Sequence, residues 1–387
     1  MRGVRERRPG RRGGVTALAS AAVVLAVGAG LSAGCGASGD SGDADESGGR
    51  PDRRAVGAPR TAPSPAASSP LAPAPVSSSA PATPSASPAP TRAPARLYRH
   101  PASQVRDWLR AHPDDARHAV LASRIADHPT AVWFTETTPD ARGADATLTA
   151  RVRAVTSGAA ARDRVAVVVA YAVPDRDCGG ASDGGARDVA AYGRWIDRFA
   201  AGLGPREVIV LLEPDALAQT DCLSADALSA RLAALARAGR AIRAAAPKAR
   251  VYYDAGHSHW NPPAAQAALL ARAGARESSG IFSNVSNFRR TADEIAYDRR
   301  VLDALGGPPG LGAVIDTSRN GNGPPADSAW CDPDGRRVGQ APTLDTGAPR
   351  IDAYLWVKPP GESDGCKGEA GTFSPAYAYE LARGGRP

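Results

Sequence analysis

The stretch Val208-Ile209-Val210-Leu211-Leu212-Glu213-Pro214-Asp215 constrains this chain more than any other. Five apolar residues in a row, bounded by Pro205 and Pro214 and mixing β-branched with leucine side chains, predict a strand buried on both faces, as in a parallel sheet. Two carboxylates close it. A charge at the mouth of a buried strand costs on the order of several kcal/mol in desolvation unless something uses it. Asp215 is therefore either tied into a hydrogen-bond network or kept for chemistry.

The rest of the folded part repeats the theme. Strands are predicted at 131–134, 165–171, 207–212, 250–253, 280–285, 312–315 and 352–357, with helical patterns at 103–111, 189–203, 225–246, 263–273 and 292–305. Such alternation argues for parallel strands wrapped by helices, in an α/β barrel or a doubly wound sheet. No G-x-G-x-x-G or G-x-x-x-x-G-K-[ST] turn follows any strand, which removes the main sign of a nucleotide-binding doubly wound fold. Polar residues gather at the strands' C-terminal ends: Asp175, Arg176 and Asp177; Glu213 and Asp215; Asp254 and His257; Asn284 and Asn287; Asp316 and Arg319; Lys358, Glu362 and Asp364. Barrel enzymes place their working residues at that one face.

Composition bears on the ends and on the compartment. Residues 1–12 hold six arginines against Glu6 alone, so five of the seven net positive charges sit there and the remainder is nearly neutral. Nucleic-acid binding, which needs a clustered basic face, is not indicated. The arginine block and the uncharged Ala/Val/Leu-rich run from Val15 to Leu31 have the layout of an export signal. Leu31-Ser32-Ala33-Gly34-Cys35 resembles a bacterial lipobox, with Ser32 where a branched apolar residue is usual, so residues 1–35 are expected to be an export signal of lipoprotein type with Cys35 as the lipid anchor and sole membrane attachment, ordinary secretion being the alternative. Residues 36–96, rich in Gly, Ser and Asp and then in Pro, Ala and Thr, bury too little apolar surface to order and read as a linker. Residues 97–387 then form one globular domain, expected to act as a monomer. Without Cys35, four cysteines remain, Cys178, Cys222, Cys331 and Cys366, an even set that in an exported chain suggests two disulfides. Three pairings are open. None has a C-x-x-C neighbour, which disfavours a metal site.

Carboxylates at a barrel mouth suit glycoside hydrolysis, in which one carboxyl donates a proton and another accepts one, or metal-assisted hydrolysis by Asp254 with His257 and His259. No G-x-S-x-G elbow supports a serine nucleophile. Trp133, Trp260 and Trp330 lie at or after strand ends, where an indole ring can cover the apolar face of a sugar. Trp195, with Tyr192 and Phe199 at helical spacing, reads as core, and so does Trp108.

Tyr171-Ala172-Val173-Pro174-Asp175-Arg176-Asp177-Cys178 and Leu212-Glu213-Pro214-Asp215 resemble the two signature segments of glycoside hydrolase family 6, the inverting cellulases. The likeness continues through Tyr253-Asp254-Ala255-Gly256-His257-Ser258, Asn284-Val285-Ser286-Asn287, Asp316-Thr317-Ser318-Arg319, Trp330-Cys331-Asp332-Pro333 and Lys358-Pro359-Pro360-Gly361-Glu362-Ser363-Asp364-Gly365-Cys366. The resemblance implies a distorted, incomplete (β/α) barrel of about seven parallel strands with surrounding helices, acting on β-1,4-glucan without metal or cofactor. It implies Asp215 as general acid, Asp177 as the aspartate that raises the acid's pKa and helps place water, Asp364 as base, and Tyr171 beside the cleaved sugar. Trp133, Trp260 and Trp330 match glucose-stacking positions and His257, Lys358 and Glu362 hydroxyl-binding ones, while Ser182, Asp254, Asn287 and Arg319 are further substrate-binding candidates. It also implies the disulfides Cys178–Cys222 and Cys331–Cys366. The sequence departs from the family at Asp183, which falls where a water-holding serine is usual, with Ser182 just before it. With no long insertion between strand ends, internal cleavage in an open groove is expected; action at chain ends and glucan binding without turnover are the alternatives.

Overall fold

In this computed structural model the described residues are 96–135 and 144–383. The predicted export signal with Cys35, and the predicted linker except Arg96, lie outside them. The elements in chain order are β1 (Arg96–Leu97), α1 (Gln104–Ala111), α2 (His118–Leu121), β2 (Val132–Phe134), α3 (Ala144–Ala160), β3 (Arg164–Ala170), α4 (Val189–Leu203), β4 (Val208–Leu212), α5 (Ala225–Ala245), β5 (Ala249–Asp254), α6 (Pro263–Arg272), β6 (Gly280–Ser283), α7 (Thr291–Leu305), β7 (Gly312–Asp316), β8 (Ile351–Leu355) and α8 (Pro375–Arg383).

Every strand pairing is parallel. The sheet runs β3-β4-β5-β6-β7-β8, and both β2 and the two-residue β1 pair with β3. The seven strands β2 to β8 curl toward closure without completing it. Between β2 and the chain leaving β8, the Ala131 N–H donates to the Trp356 carbonyl at 3.0 Å and the Trp133 Nε1–H to the Val357 carbonyl at 2.8 Å, with no strand ladder among the described residues. The incomplete barrel expected from the sequence is the fold observed.

Alternation along each strand builds two cores from one apolar run. Val165, Val167, Val169, Ile209, Leu211, Tyr252, Phe282, Val314 and Leu355 meet one another in a cluster that includes no helical residue, the filling of the barrel. Their neighbours Ala166, Val168, Val208, Val210, Leu212, Val251, Ile281 and Ile315 face outward against Ile196 and Phe199 of α4, Leu235 of α5 and Val301 of α7. Helix ends follow ordinary capping chemistry. The Asp188 side chain accepts from the Ala191 N–H to start α4, and the Ser224 side chain from the Ala227 N–H to start α5. Trp195 is buried and stacked on Phe199 at 5.4 Å, and Trp108 packs against a smaller apolar cluster, so both are core as expected.

Candidate active site

The strand C-termini surround a cleft of about 1140 Å³. Of the residues singled out in the sequence, Asp215, Asp177, Asp364, Tyr171, Trp133, Ser182, His257, Trp260, Asn287, Trp330, Lys358 and Glu362 line it. Asp183, the departure from the family, lines it too. Asp254 and Arg319 do not.

Asp215 follows β4 on a turn in which both Glu213 (φ 54°) and Asp215 (φ 67°) adopt the left-handed conformation. Asparagine and aspartate tolerate that region best, at a cost of roughly 1–2 kcal/mol per residue. The carboxyl is half-buried and lies 3.4 Å from the Tyr171 hydroxyl, which donates to its Oδ2. Burial, then the negative charges of Asp254 and Asp177, push its pKa up to about 8, while the Tyr171 hydrogen bond and the Lys358 charge pull the other way. A carboxyl so placed keeps its proton at neutral pH and can donate it. Tyr171 is itself fixed, its ring edge-on to Trp133 at 5.3 Å and beneath the Arg176 guanidinium at 4.6 Å.

Asp177 sits on a loop with left-handed backbone at Asp177 (φ 56°) and Cys178 (φ 47°). Its Oδ2 accepts the Ser182 N–H at 2.7 Å, and its Oδ1 makes no hydrogen bond among the described residues. Gly180 permits this fold-back, since a Cβ there would stand 2.6 Å from Asp177 Oδ2. Ser182 thus meets Asp177 through its backbone, and Arg176 Nε donates to the Ser182 carbonyl at 2.8 Å. The disulfide Cys178–Cys222 ties this loop to the chain beyond Asp215.

Asp364 lines the cleft with both oxygens engaged by cations, Oδ2 by Arg319 Nη1 at 2.7 Å and Oδ1 by Lys358 Nζ at 3.1 Å. Arg319 is fully buried and also donates to Tyr377 and to the Ser286 carbonyl. Arg319, expected to bind substrate, has no exposed surface and meets the cleft through the groups it holds. Asp332 organises the same segment. Burial pushes its pKa up, but hydrogen bonds from Ser363, Asp364, Lys367 and Cys366 outweigh that and hold it below the usual carboxylate range. The second disulfide, Cys331–Cys366, closes the loop. Both disulfides have the expected pairing.

Three strand-end carboxylates prove to be fasteners for the rim. Glu213 Oε2 accepts the N–H groups of Ala172 and Val173, joining the ends of β3 and β4. Asp254 accepts from Leu217, Ala218 and Gly256, and Asp316 from Ser286, Ser318, Val357 and Lys358. Asp254 and Asp316, both oxygens engaged by backbone donors, are rewarded for that geometry and are poorly placed to meet a ligand. Asp254, expected to bind substrate, therefore lies behind the wall, where its charge raises the pKa of Asp215. Burial, opposed by the N–H groups, also raises the pKa of Asp254 itself.

The remaining residues furnish the walls. Trp330 is 58 % exposed, a large ring with little protein over it. Trp260 packs beside the His257 ring at 5.2 Å. Burial, then the Arg289 and His259 charges, drives His257 down to about 3, so the imidazole is neutral. His257 Nδ1 accepts the His259 N–H at 3.2 Å, and among the described residues no three His, Cys, Asp or Glu side chains form a group that could hold a metal ion. Lys358 pairs with Asp364; Glu362 instead accepts from Gln104 Nε2 at 2.8 Å, and burial raises its pKa to about 7.

Residues missed in the sequence share one property: their side chains grip main-chain groups of distant loops. Gln104 of α1 clamps the 362–373 segment, and Arg231 of α5 donates to four carbonyls behind the cleft. Arg231 did leave a signal. It stands among Leu228, Leu232 and Leu235 on the apolar face of its helix, where a charge is out of place.

Known proteins resemble this chain along the same span. Endoglucanase 1 of Streptomyces sp. (strain KSM-9) is 53% identical over 291 residues, covering 74% of this chain and 78% of that protein. Endoglucanase A of Thermobispora bispora is 47% identical over 292 residues, covering 75% of this chain and 62% of that protein. The solved structure of the endoglucanase Cel6 from Mycobacterium tuberculosis superimposes with a TM-score of 0.69 at 38% identity, over 76% of this chain and 98% of that one. The family model of glycosyl hydrolases family 6 matches residues 92–384. The chain belongs to glycosyl hydrolases family 6.

Proposed function

We propose that this protein is an inverting endo-β-1,4-glucanase in which Asp215 is the general acid. The observation that carries the reading is a half-buried carboxyl with its pKa raised to about 8, at the floor of a tryptophan-walled cleft in a family 6 chain. A β-1,4-glucan lies along the cleft with glucose rings on Trp133, Trp260 and Trp330, and Asp215 protonates the departing glycosidic oxygen. Water attacks the anomeric carbon from the opposite face, inverting it, and inverting enzymes keep roughly 6.5–9.5 Å between their carboxyl groups for that water. Asp177, with one oxygen uncommitted, orients the water, and Asp364 takes its proton. Tyr171 crowds the sugar at the point of cleavage and keeps Asp215 in place. His257, Asn287, Lys358 and Glu362 are the hydroxyl partners.

Internal cleavage is favoured because the Streptomyces and Thermobispora relatives and the Mycobacterium tuberculosis Cel6 structure are all named endoglucanases. The test is a purified chain on carboxymethylcellulose and on cello-oligosaccharides. Viscosity must fall before reducing sugar accumulates, the new reducing ends must appear as the α anomer by NMR, and Asp215→Asn must abolish both. Release of cellobiose without loss of viscosity, or a β-anomeric product, refutes the assignment. Two disulfides persist in an oxidising compartment, which supports reading residues 1–35 as an export signal and 36–96 as a tether for the catalytic domain. Lipid on Cys35 predicts membrane-bound activity that Cys35→Ser releases into the medium.

A further inference from the structure

Arg231 is 4 % exposed, on the face of α5 that packs against the barrel. A guanidinium brought there must replace its hydration completely. No carboxylate forms an ion pair with it among the described residues; its partners are four main-chain carbonyls. Nη2 donates to Pro174 O and Asp175 O, each at 2.9 Å, and Nη1 to Ala216 O and Gln219 O, each at 3.4 Å. The first two carbonyls belong to the loop that leads into Asp177. The second two belong to the turn that begins at Asp215.

One planar fork thus spans the two loops that carry the proposed acid and its neighbouring aspartate. Other links join the same loops farther out, the Cys178–Cys222 disulfide and the Gln219 Nε2–H donated to the Asp177 carbonyl at 3.5 Å. The disulfide limits how far the loops can part, whereas four directional hydrogen bonds set their angle and height. We propose that Arg231 is a positioning residue that holds the Asp177 loop and the Asp215 turn at the mutual spacing the reaction needs. The inference rests on the reading of Asp215 as acid, but the clamp itself is a property of the loops. Arginine suits it because five N–H donors lie in one plane, whereas a lysine ammonium is a single point that cannot bridge both carbonyl pairs in the same way.

The test compares the unsubstituted chain with Arg231→Lys and Arg231→Gln. With cellohexaose as probe, kcat is expected to fall about 10-fold or more in Arg231→Lys while KM stays within about two-fold, since misplacement of reacting groups by about an ångström costs rate more than binding. Amide hydrogen exchange should rise together in 174–180 and 215–222 and remain unchanged in the body of α5. If Arg231→Gln fails to fold, Arg231→Lys decides alone. An Arg231→Lys chain with unaltered kcat, or with exchange unaltered in both loops, overturns the proposal. Exchange does not depend on turnover. An unsubstituted chain that cleaves no β-glucan refutes the glucanase reading, and the exchange comparison still decides whether Arg231 clamps the loops.

Discussion

Replacing Asp215 by asparagine should abolish activity and make the protein more stable, by an amount that grows with pH. The Asp215 carboxyl has its pKa raised from 3.8 to about 8, burial being the first cause and the charges of Asp254 and Asp177 the next. Between those pH values the folded chain retains a proton that the unfolded chain has released. Stability therefore falls as pH rises through that window, by up to about 1.4 kcal/mol per pH unit for one group. Over the four units from pH 4 to pH 8 that slope sets an upper bound of about 5 kcal/mol for Asp215, and Asp254, raised by burial as well, adds to the same fall. Asparagine keeps an acceptor for the Tyr171 hydroxyl and carries no ionisable proton, so this loss disappears. Melting temperature followed from pH 4 to pH 8 should show Asp215→Asn gaining on its parent steadily, reaching several degrees at neutral pH, while glucan cleavage drops by roughly 10²–10⁴-fold. A gap in melting temperature that is constant, or that narrows as pH rises, would refute a buried, proton-holding acid.

Other outcomes follow from the same geometry. Tyr171→Phe removes a hydrogen bond that favours the Asp215 carboxylate, so the alkaline limb of the kcat profile should move to higher pH; a shift to lower pH would contradict the arrangement. Trp330→Ala should raise KM for cellohexaose several-fold, about 1 kcal/mol of ring contact, and leave the melting temperature unchanged because that ring is 58 % exposed. Reducing Cys178–Cys222 opens a loop with a sequence separation of 44, worth about 4 kcal/mol in the chain-entropy treatment. A Cys178→Ser/Cys222→Ser chain should accordingly unfold at clearly lower denaturant, whereas an unchanged midpoint would show that the crosslink contributes nothing beyond the loops' own hydrogen bonds.

The strands and the acids were legible because both leave local marks. Val208–Leu212 has a run of apolar residues that a surface strand could not carry, and α4 begins at Asp188 and ends before Gly204 as its residue types dictate. Helix α3 and helix α8 were not recognised. The buried residues Leu148, Val152, Val155 and Ala159 of α3 keep helical spacing, but threonine, valine and glycine between them blur the pattern, and α8 spans only Pro375–Arg383.

Which carboxylates face the cleft could not be read from position along the chain. Asp215, Asp254 and Asp316 all stand at strand ends, and their residue type and spacing are alike. Their surroundings separate them: Asp254 and Asp316 are saturated by backbone N–H groups from neighbouring loops, while Asp215 meets a tyrosine hydroxyl and the cleft. The same holds for Arg231, whose four carbonyl partners come from residues 12 to 57 positions away. Periodicity, turns and caps are short-range properties and survive in the linear order of residues. The choice between a fastener and an acid depends on desolvation and on donors supplied by remote loops, and those exist only once the barrel has brought the strand ends together.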